Sequence, residues 1–254
     1  MNVLVCVKRV PATGGRIVLS QDERRIDTKF LGFTVSPHEE CAVEEAVRLI
    51  EANGGTSIVL TLGPAEAEEQ LRDALALGID RGVLLQTDGG EWDPQATAAA
   101  IVEAVRAQRE AGTDLDLLLV GNEAADSGDF QVAVRVAHAL GLPCVVGAKA
   151  LEIRGSAAVV RREAEGGWEE FGVSLPAVIS VKEGINLPRY PSVPGKLKAK
   201  QKPIERRTQD PPTNRLEMLR LKVPEGDHKQ VSILGDGPEA ASKVAELLRS
   251  IGVA

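Results

Sequence analysis

Residues 115–146 read LDLLLVGNEAADSGDFQVAVRVAHALGLPCVV, and their pattern indicates how the whole chain is built. The apolar run 115–120 predicts a buried strand, and a polar loop leads from it into a predicted helix over 130–140. Gly141 ends that helix, and residues 144–146 predict the next strand. A strand, a helix and a second strand in this order form a right-handed crossover between two parallel strands.

The same alternation fills the chain on the amino-terminal side of this unit. Further strands are predicted over 3–7, 57–62 and 83–85, and further helices from Ser36 to Gly54, over 65–77 and from Asp93 onward. The first helix has a serine N-cap at Ser36, a proline at Pro37 and a glutamate at Glu39, which is the pattern of a capping box. Alternating strands and helices predict an α/β fold with a doubly wound, mostly parallel sheet.

After residue 149 the pattern changes to a β-hairpin addition and an extended C-terminal arm. Strands are predicted over 151–153, 158–162, 168–173 and 177–181, with a hairpin-like excursion earlier, over 18–35. Asp210-Pro-Pro predicts a linker, and a strand over 230–234 and a helix over 238–251 follow it. We therefore expect an α/β nucleotide-binding domain over 1–208 and a C-terminal arm over 209–254.

Composition excludes several classes of protein. The chain has 254 residues, of which 43% are hydrophobic and 26% charged, and this excludes wholesale disorder. A net charge of −7 with only 3% aromatic residues argues against binding to nucleic acid. Cys6, Cys41 and Cys144 form no CxxC pair, which favours buried thiols in a reducing compartment.

The amino terminus is apolar first and basic afterwards, the reverse of a secretory signal. No apolar run reaches the roughly 18 residues that a membrane span needs. We therefore expect a cytoplasmic protein with no direct membrane insertion.

Common catalytic motifs are absent from the sequence. His38, His138 and His228 have no metal-ligand spacing with one another or with the cysteines, and neither G-x-S-x-G nor a Walker A loop occurs. Residues 235–240 look like the start of a dinucleotide fingerprint, but a turn and a helix cap explain them. We expect no catalytic residue and no metal.

One edge of the predicted sheet suits a ligand. In open parallel sheets, ligands bind beyond the carboxyl ends of the strands, where helices begin with N–H groups that attract phosphate. The residues expected there are 6–8, Ser36, Leu62 with Gly63, and the loop 121–131. The loop backbone suits an adenine edge and Asp126 suits a ribose hydroxyl. A helix cap and an ordinary surface loop explain the same residues, so both interpretations stay open on these grounds.

Several segments share a motif pattern with a known family. They are VCVKRVP at 5–11, AVEEAVRL at 42–49, GP at 63–64, ALALGIDRG at 74–82, residues 121–131, RREAEGGWEE at 161–170, LPAVIS at 175–180, PRY at 188–190 and KAK at 198–200. In this order and spacing they resemble the beta subunit of electron transfer flavoprotein over nearly the whole chain, which implies a sheet fold of the adenine-nucleotide-binding type.

The resemblance implies a heterodimer with an alpha subunit that holds most of the FAD, while this chain holds an AMP with a structural role. It implies an electron carrier rather than an enzyme, which takes electrons from acyl-CoA dehydrogenases of fatty acid β-oxidation to a membrane quinone oxidoreductase. The matching cofactor-binding residues are Cys6, Ser36, Pro37, His38, Glu39, Leu62, Gly121, Asn122, Glu123, Ala124, Ala125, Asp126, Ser127, Gly128, Asp129, Phe130, Gln131 and Val132.

We expect the C-terminal arm over 209–254 to contact the alpha subunit, and the resemblance implies two further contact surfaces. Glu163 matches a glutamate that lies near the mobile flavin domain in the family. The residues that match the family's docking loop are Pro188, Arg189, Tyr190, Pro191, Val193, Pro194, Lys196, Lys198 and Lys200. Val193 falls where relatives place the leucine that anchors in a dehydrogenase pocket. By composition alone, this proline-rich basic segment is a solvated linker.

Two alternatives stay open. Some relatives bifurcate electrons, oxidise NADH and hold a second FAD in the beta subunit in place of AMP. The chain departs from the family pattern at Ser36, at Leu62 and around Asp126, and the changes around Asp126 leave the identity of the nucleotide open. The helix segment 43–46 and its start at Ser36 and Pro37 are more similar to the relatives that hold AMP. A stand-alone adenine-nucleotide-binding regulatory protein of the same broad fold is the other alternative.

Overall fold

The computed structural model describes residues 1–12, 14, 17–210, 213–223 and 232–253. The strands are β1 Asn2–Cys6, β2 Val10–Pro11, β3 Phe33–Thr34, β4 Thr56–Gly63, β5 Arg81–Gln86, β6 Leu117–Gly121, β7 Cys144–Arg154, β8 Ala157–Ala164, β9 Gly167–Ser174, β10 Ala177–Val181 and β11 Ile204–Thr208. The helices are α1 Pro37–Asn53, α2 Glu68–Leu77, α3 Pro94–Glu110, α4 Val132–Leu140, α5 Val193–Ala199 and α6 Ala240–Ser250.

A nine-stranded sheet forms the centre of the protein, in the order β11-β5-β4-β1-β6-β10-β7-β8-β9. The first seven strands in this order, β11 to β7, are parallel to one another. At the other edge β8 pairs with β7 in the antiparallel direction and forms a hairpin with β9. Val5 at the middle of β1 is in register with Val59 and Leu119 on either side. The predicted α/β fold with a mostly parallel sheet and a hairpin addition is confirmed.

Helices cover both faces of this sheet, which is why the central strands β1, β4, β5, β6 and β10 are apolar without alternation. Val5, Val59 and Leu119 pack on the face that α1 and α2 cover, and they are fully buried. The intervening side chains Leu4, Leu60 and Leu118 form a second core beneath α3 and α4.

The order of the strands reverses next to β1. The chain steps outward from β1 to β4 and β5, and then returns to the other side of β1 to form β6. Loops at such a switch point leave in opposite directions, which opens a crevice beyond the carboxyl ends of the two strands. Here that crevice lies between Cys6 and Gly121, the last residues of β1 and β6.

Two predicted strands are one in the structure. Residues 144–146 and 151–153 belong to the continuous strand β7, which pairs with β10 and β8. Ala148 and Ala150 of β7 face Arg162 and Arg161, which are adjacent, so Lys149 is an extra residue. A bulge of this kind bends a strand and interrupts its alternation, and this is why the sequence pattern looked like two strands.

The basic segment after residue 185 is more regular than the sequence suggested. Ser192 begins the short helix α5, and its hydroxyl accepts a hydrogen bond from the N–H of Gly195 at 3.1 Å. Pro194 lies in the first turn, where a missing N–H costs no hydrogen bond. Strand β11 then pairs with β5 at the edge of the sheet. Its sequence IERRT is charged, as suits an edge strand, and gave no apolar signal.

The C-terminal region forms the predicted helix, α6, with no buried residue. The predicted strand over 230–234 falls partly outside the described residues, and residues 232–234 are not in a strand. The predicted linker at Asp210 extends to residues 211–212, which lie outside the described part. Before α6, Asn214 and Arg215 are hydrogen-bonded to Asp93, the N-cap residue of α3. The division at residue 208 stays a prediction. Among the described residues, no helix is both long and apolar enough to cross a membrane.

Candidate functional site

The start of α1 lies directly against the end of β6. Glu39, in the first turn of α1, is buried, and a β-carbon added to Gly121 would lie 2.5 Å from its γ-carbon. That distance is far shorter than a van der Waals contact, so this approach requires glycine at position 121.

The predicted capping box forms between Ser36 and Glu39. The Glu39 carboxylate accepts hydrogen bonds from the N–H of Ser36 at 3.1 Å and from its hydroxyl at 2.9 Å. The Ser36 hydroxyl also reaches the carbonyl oxygen of Glu123 at 3.3 Å, which joins α1 to the loop after β6. Burial raises the pKa of Glu39 to about 7, against the opposing effects of the Ser36 hydrogen bonds and the charge of Lys8.

Cys6 ends β1 within the same crevice. Burial, together with the negative charge of Glu39, raises the pKa of its thiol to about 12. A thiol that holds its proton this strongly is neither a nucleophile nor a redox centre. Its side chain belongs to the core beneath α3 and α4, and the partly buried Leu62 and Val132 pack against that core. The predicted cofactor residues Cys6, Leu62 and Val132 can therefore contact a ligand through apolar side chains or through main-chain atoms.

His38 connects three segments at the mouth of the crevice. Its Nδ1 accepts a hydrogen bond from the N–H of Glu183 at 2.7 Å, which leaves the neutral ring's proton on Nε2. Nε2 lies 3.2 Å from the carboxylate of Glu123 and donates to it. Pro37, its neighbour, is exposed at the first position of the helix.

The loop 121–132 is anchored at its base and open at its tip. Asn122 donates its N–H to the carbonyl of Val181 at 2.9 Å and accepts from the Ser180 hydroxyl at 2.7 Å. Asp126 forms an ion pair with Lys8 at 2.8 Å, so its carboxylate is already engaged. The exposed residues of the loop are Ala125, Asp126, Ser127, Gly128, Phe130 and Gln131, whereas Ala124 and Asp129 are partly buried. The helix begins at Val132, with Gln131 as its N-cap, and not at residue 130; Phe130 is exposed.

Glu163 lies on β8 and connects to the crevice through lysines. Lys149 and Lys182 approach its carboxylate to 3.8 and 3.9 Å. Lys149, the bulge residue, also donates to the carbonyl of Glu183 at 2.6 Å, and Glu183 in turn holds His38. The chain's own cations thus partner Glu163, and about half of its side chain stays exposed.

The predicted docking residues separate into two groups. Tyr190 and Val193 are 95% and 74% exposed, and Pro194 and the lysines Lys196, Lys198 and Lys200 are also exposed, while Pro188 and Pro191 are partly buried. Arg189 instead folds back onto α1, where its guanidinium contacts Glu44 and Glu51. Burial alone would raise the pKa of Glu44, but hydrogen bonds from Arg189 and Arg48 hold it below its usual value. Sequence analysis missed these partners, although their spacing of seven residues places both glutamates on one helix face.

The described part of the chain contains no cluster of three or more histidine, cysteine, aspartate or glutamate side chains arranged to hold a metal ion. The crevice combines an apolar wall, main-chain groups at the start of α4 and a rim of mixed charge. Such an arrangement can bind a small polar ligand.

Comparison with known proteins identifies the family. A model of the electron transfer flavoprotein domain matches residues 26–212. The chain is 35% identical over 259 residues to the electron transfer flavoprotein subunit beta of Bacillus subtilis, with 98% of each chain covered. It is 37% identical over 251 residues to the subunit of the same name from Syntrophomonas wolfei, with 98% of this chain and 96% of the relative covered.

A third relative has a different name. The subunit CarD of the caffeyl-CoA reductase-Etf complex of Acetobacterium woodii is 33% identical over 213 residues, which covers 80% of this chain and 77% of CarD. The fold, the order of the motifs and these full-length matches agree, and the chain belongs to the electron transfer flavoprotein beta subunit family.

Proposed function

We propose that this chain is the beta subunit of a cytoplasmic heterodimeric electron carrier. In this role it binds an alpha subunit that holds most of the FAD and takes electrons from acyl-CoA dehydrogenases to a membrane quinone oxidoreductase. It is a carrier rather than an enzyme. One observation carries this function: exposed apolar side chains lie on a cationic segment, in which Tyr190 and Val193 are followed by Lys196 and Lys198.

Such a surface fits a partner protein that has an apolar pocket with an acidic rim. Apolar anchors supply affinity when they are buried, and surrounding charges speed the encounter. The segment also contains three prolines, at 188, 191 and 194, which limit its conformational freedom. Low freedom before binding reduces the entropy that is lost on binding.

We further propose that the crevice holds AMP. The loop 121–132 leads into α4, whose first N–H groups suit a phosphate, and the apolar wall of Leu62 and Val132 suits an adenine face. Asp126 can accept a hydrogen bond from a ribose hydroxyl while it stays paired with Lys8, because a carboxylate has several acceptor sites. The neutral thiol of Cys6 brings no charge against the phosphate.

FAD, when bound in the heterodimer, supplies the redox chemistry. Neither Cys6 nor Cys144 takes part in it, since burial raises the pKa of both thiols. The role of this chain is to bind and orient.

The second candidate is a bifurcating complex with a second FAD in this chain and NADH as reductant. The similarity of this chain to a subunit of the caffeyl-CoA reductase-Etf complex supports this second candidate. Extraction of nucleotides from the denatured heterodimer separates the two. One FAD and one AMP per heterodimer supports the carrier, and two FAD with no AMP supports bifurcation.

The third candidate, a stand-alone nucleotide-binding regulator, requires that the chain purify without a flavin-bearing partner. Co-expression with the alpha subunit and a tag on this chain alone tests it. Stable co-purification of a yellow heterodimer, reduced by acyl-CoA through an acyl-CoA dehydrogenase, supports the carrier function. A colourless monomer contradicts it.

A further inference from the structure

Residues 186–202, called the strap here, are tied to the surface at their amino-terminal end. The Arg189 guanidinium forks between two carboxylates of α1, at 2.9 Å from Glu44 and 2.7 Å from Glu51. The N–H of Arg189 also donates to Glu44, which is only 2% exposed. Asn186 adds hydrogen bonds to the carbonyl of Cys41 and to Glu45. Both backbone and side chains therefore hold this end on α1.

The carboxyl-terminal end of the strap is tied to α2. Arg72 donates to the carbonyl oxygens of Ala199 and Lys202, at 2.7 Å each. Lys202 in turn donates to the carbonyls of Leu75 and Ile79, at 3.0 and 2.6 Å. Ala199 is buried beneath this second set of contacts.

The middle of the strap also lies close to α2. A β-carbon on Gly195 would lie 2.5 Å from the carbonyl oxygen of Ala76, so the backbones touch there. Between the two ends, Tyr190, Val193 and Leu197 are 95%, 74% and 60% exposed. Three large apolar side chains thus face solvent on a segment whose backbone is held at both ends.

We propose that Arg189 is a positioning residue, which acts through Glu44 and Glu51 to hold the strap in its docking conformation and does not itself contact the partner. This role rests on the docking function proposed above. The partner is a protein whose apolar pocket carries an acidic rim, as the charges of Lys196 and Lys198 require. A segment ordered in advance loses less conformational entropy when it docks.

Substitution of Glu51 distinguishes the positioning role from a simple charge effect, because the two predict opposite changes in docking strength. Removing an exposed carboxylate beside a docking surface for an acidic partner should strengthen docking if charge alone matters. Removing it should weaken docking if Glu51 holds Arg189 and thereby the strap. Glu51 is 58% exposed at its side chain, so Glu51→Gln leaves the core of the protein intact.

The experiment uses the heterodimer with a purified acyl-CoA dehydrogenase as the probe. Amide hydrogen exchange of residues 187–197 reports the order of the strap, and the dehydrogenase concentration at half-maximal transfer rate reports docking. We expect Arg189→Gln to speed exchange there and to raise the half-saturating concentration about threefold to tenfold, and Glu51→Gln to act in the same direction by about twofold. The double variant should fall short of the product of the two effects, since both remove one interaction.

Arg106→Gln and Glu110→Gln are the matched controls, because both residues are exposed on α3, across the sheet from the strap. Two results overturn the positioning role. One is a higher half-saturating dehydrogenase concentration in Arg189→Gln with unchanged hydrogen exchange, and the other is a lower half-saturating concentration in Glu51→Gln. The docking function fails separately, if Val193→Ala leaves transfer unchanged while exchange still rises in Arg189→Gln.

Discussion

Gly121 and Glu39 pack so closely that a β-carbon at position 121 would lie 2.5 Å from the Glu39 γ-carbon. This contact joins the end of β6 to the first turn of α1 at the centre of the candidate nucleotide site. Because Glu39 is buried, it cannot move away from Gly121 without disturbing the hydrogen bonds that it receives from Ser36.

The first prediction is that Gly121→Ala destabilises the protein. Overpacking in a well-packed region costs about 1–3 kcal/mol, and here it also displaces a buried carboxylate. Gly172→Ala is the matched control, since nothing lies within 4 Å of a β-carbon there. Urea unfolding of both variants checks this, and equal midpoints for the two would show that the contact carries no strain.

Stability should depend on pH through Glu39. Its pKa rises from an ordinary 4.5 to about 7 in the folded state, so folding favours the protonated carboxyl. The contribution is fully present below pH 4.5 and is lost as the pH rises through about 7. A shift of this size corresponds to about 3 kcal/mol between the two limits.

Glu39→Gln isolates this effect, because the amide resembles the protonated acid at every pH. We expect the variant and the parent to have similar unfolding free energies near pH 4.5, and the variant to be more stable at pH 8. Parallel curves of unfolding free energy against pH for the two proteins would contradict the raised pKa.

Local patterns predicted the elements whose signals are local. The capping box at Ser36 and the apolar strands next to the switch point needed only neighbours in sequence. The bulge at Lys149 was missed because it is defined by the partner strand and not by β7 itself. Strand β11 was missed because its residues are mostly charged, as is common in edge strands, so no apolar pattern indicates its pairing with β5.

Contacts between distant segments explain what sequence analysis missed in the site. Lys8 meets Asp126 across 118 positions and Arg189 meets Glu44 across 145. No periodicity links residues so far apart. Asp126 was therefore predicted as a ribose ligand without its lysine, and Arg189 as a docking residue without the glutamates that hold it.

The AMP assignment predicts a specific effect of Asp126→Ala in the heterodimer. The ion pair with Lys8 is partly exposed, and such pairs contribute about 0–1 kcal/mol. A ligand present at 100 times its Kd stabilises the folded state by about 2.7 kcal/mol. We expect Asp126→Ala to lower both the AMP content and the Tm, while the flavin spectrum stays unchanged.

Lys8→Ala separates the two contributions, because it removes the ion pair and leaves the carboxylate. Added AMP should raise the Tm of Lys8→Ala more than that of Asp126→Ala. Full AMP content with an unchanged Tm in Asp126→Ala would exclude the loop as the nucleotide site.

This chain expressed alone should carry little or no flavin. The sequence has no complete pyrophosphate-binding fingerprint, and the carrier function proposed above assigns most FAD contacts to the alpha subunit. Flavin absorbance of the isolated chain, measured against that of the heterodimer at equal protein concentration, tests this. A stoichiometric yellow colour in the isolated chain would favour a second flavin site within it.

Val193 should be the apolar anchor of docking. Its side chain is 74% exposed on α5, with Lys196 and Lys198 in the same helix. Full burial of a valine stabilises a complex by about 1.5–3 kcal/mol, and truncation to alanine loses part of this, so the half-saturating dehydrogenase concentration should rise about tenfold in Val193→Ala. Reduction of the flavin by dithionite should not change, because that reaction needs no docking. The lysines should act on the association rate instead, so substituting Lys196 or Lys198 should change the transfer rate less at high salt.

Val134→Ala is the matched control for Val193→Ala, since Val134 is also an exposed valine and lies on α4, away from the strap. Equal transfer rates for Val193→Ala, Val134→Ala and the parent at sub-saturating dehydrogenase would mean that the exposed valine plays no part in docking.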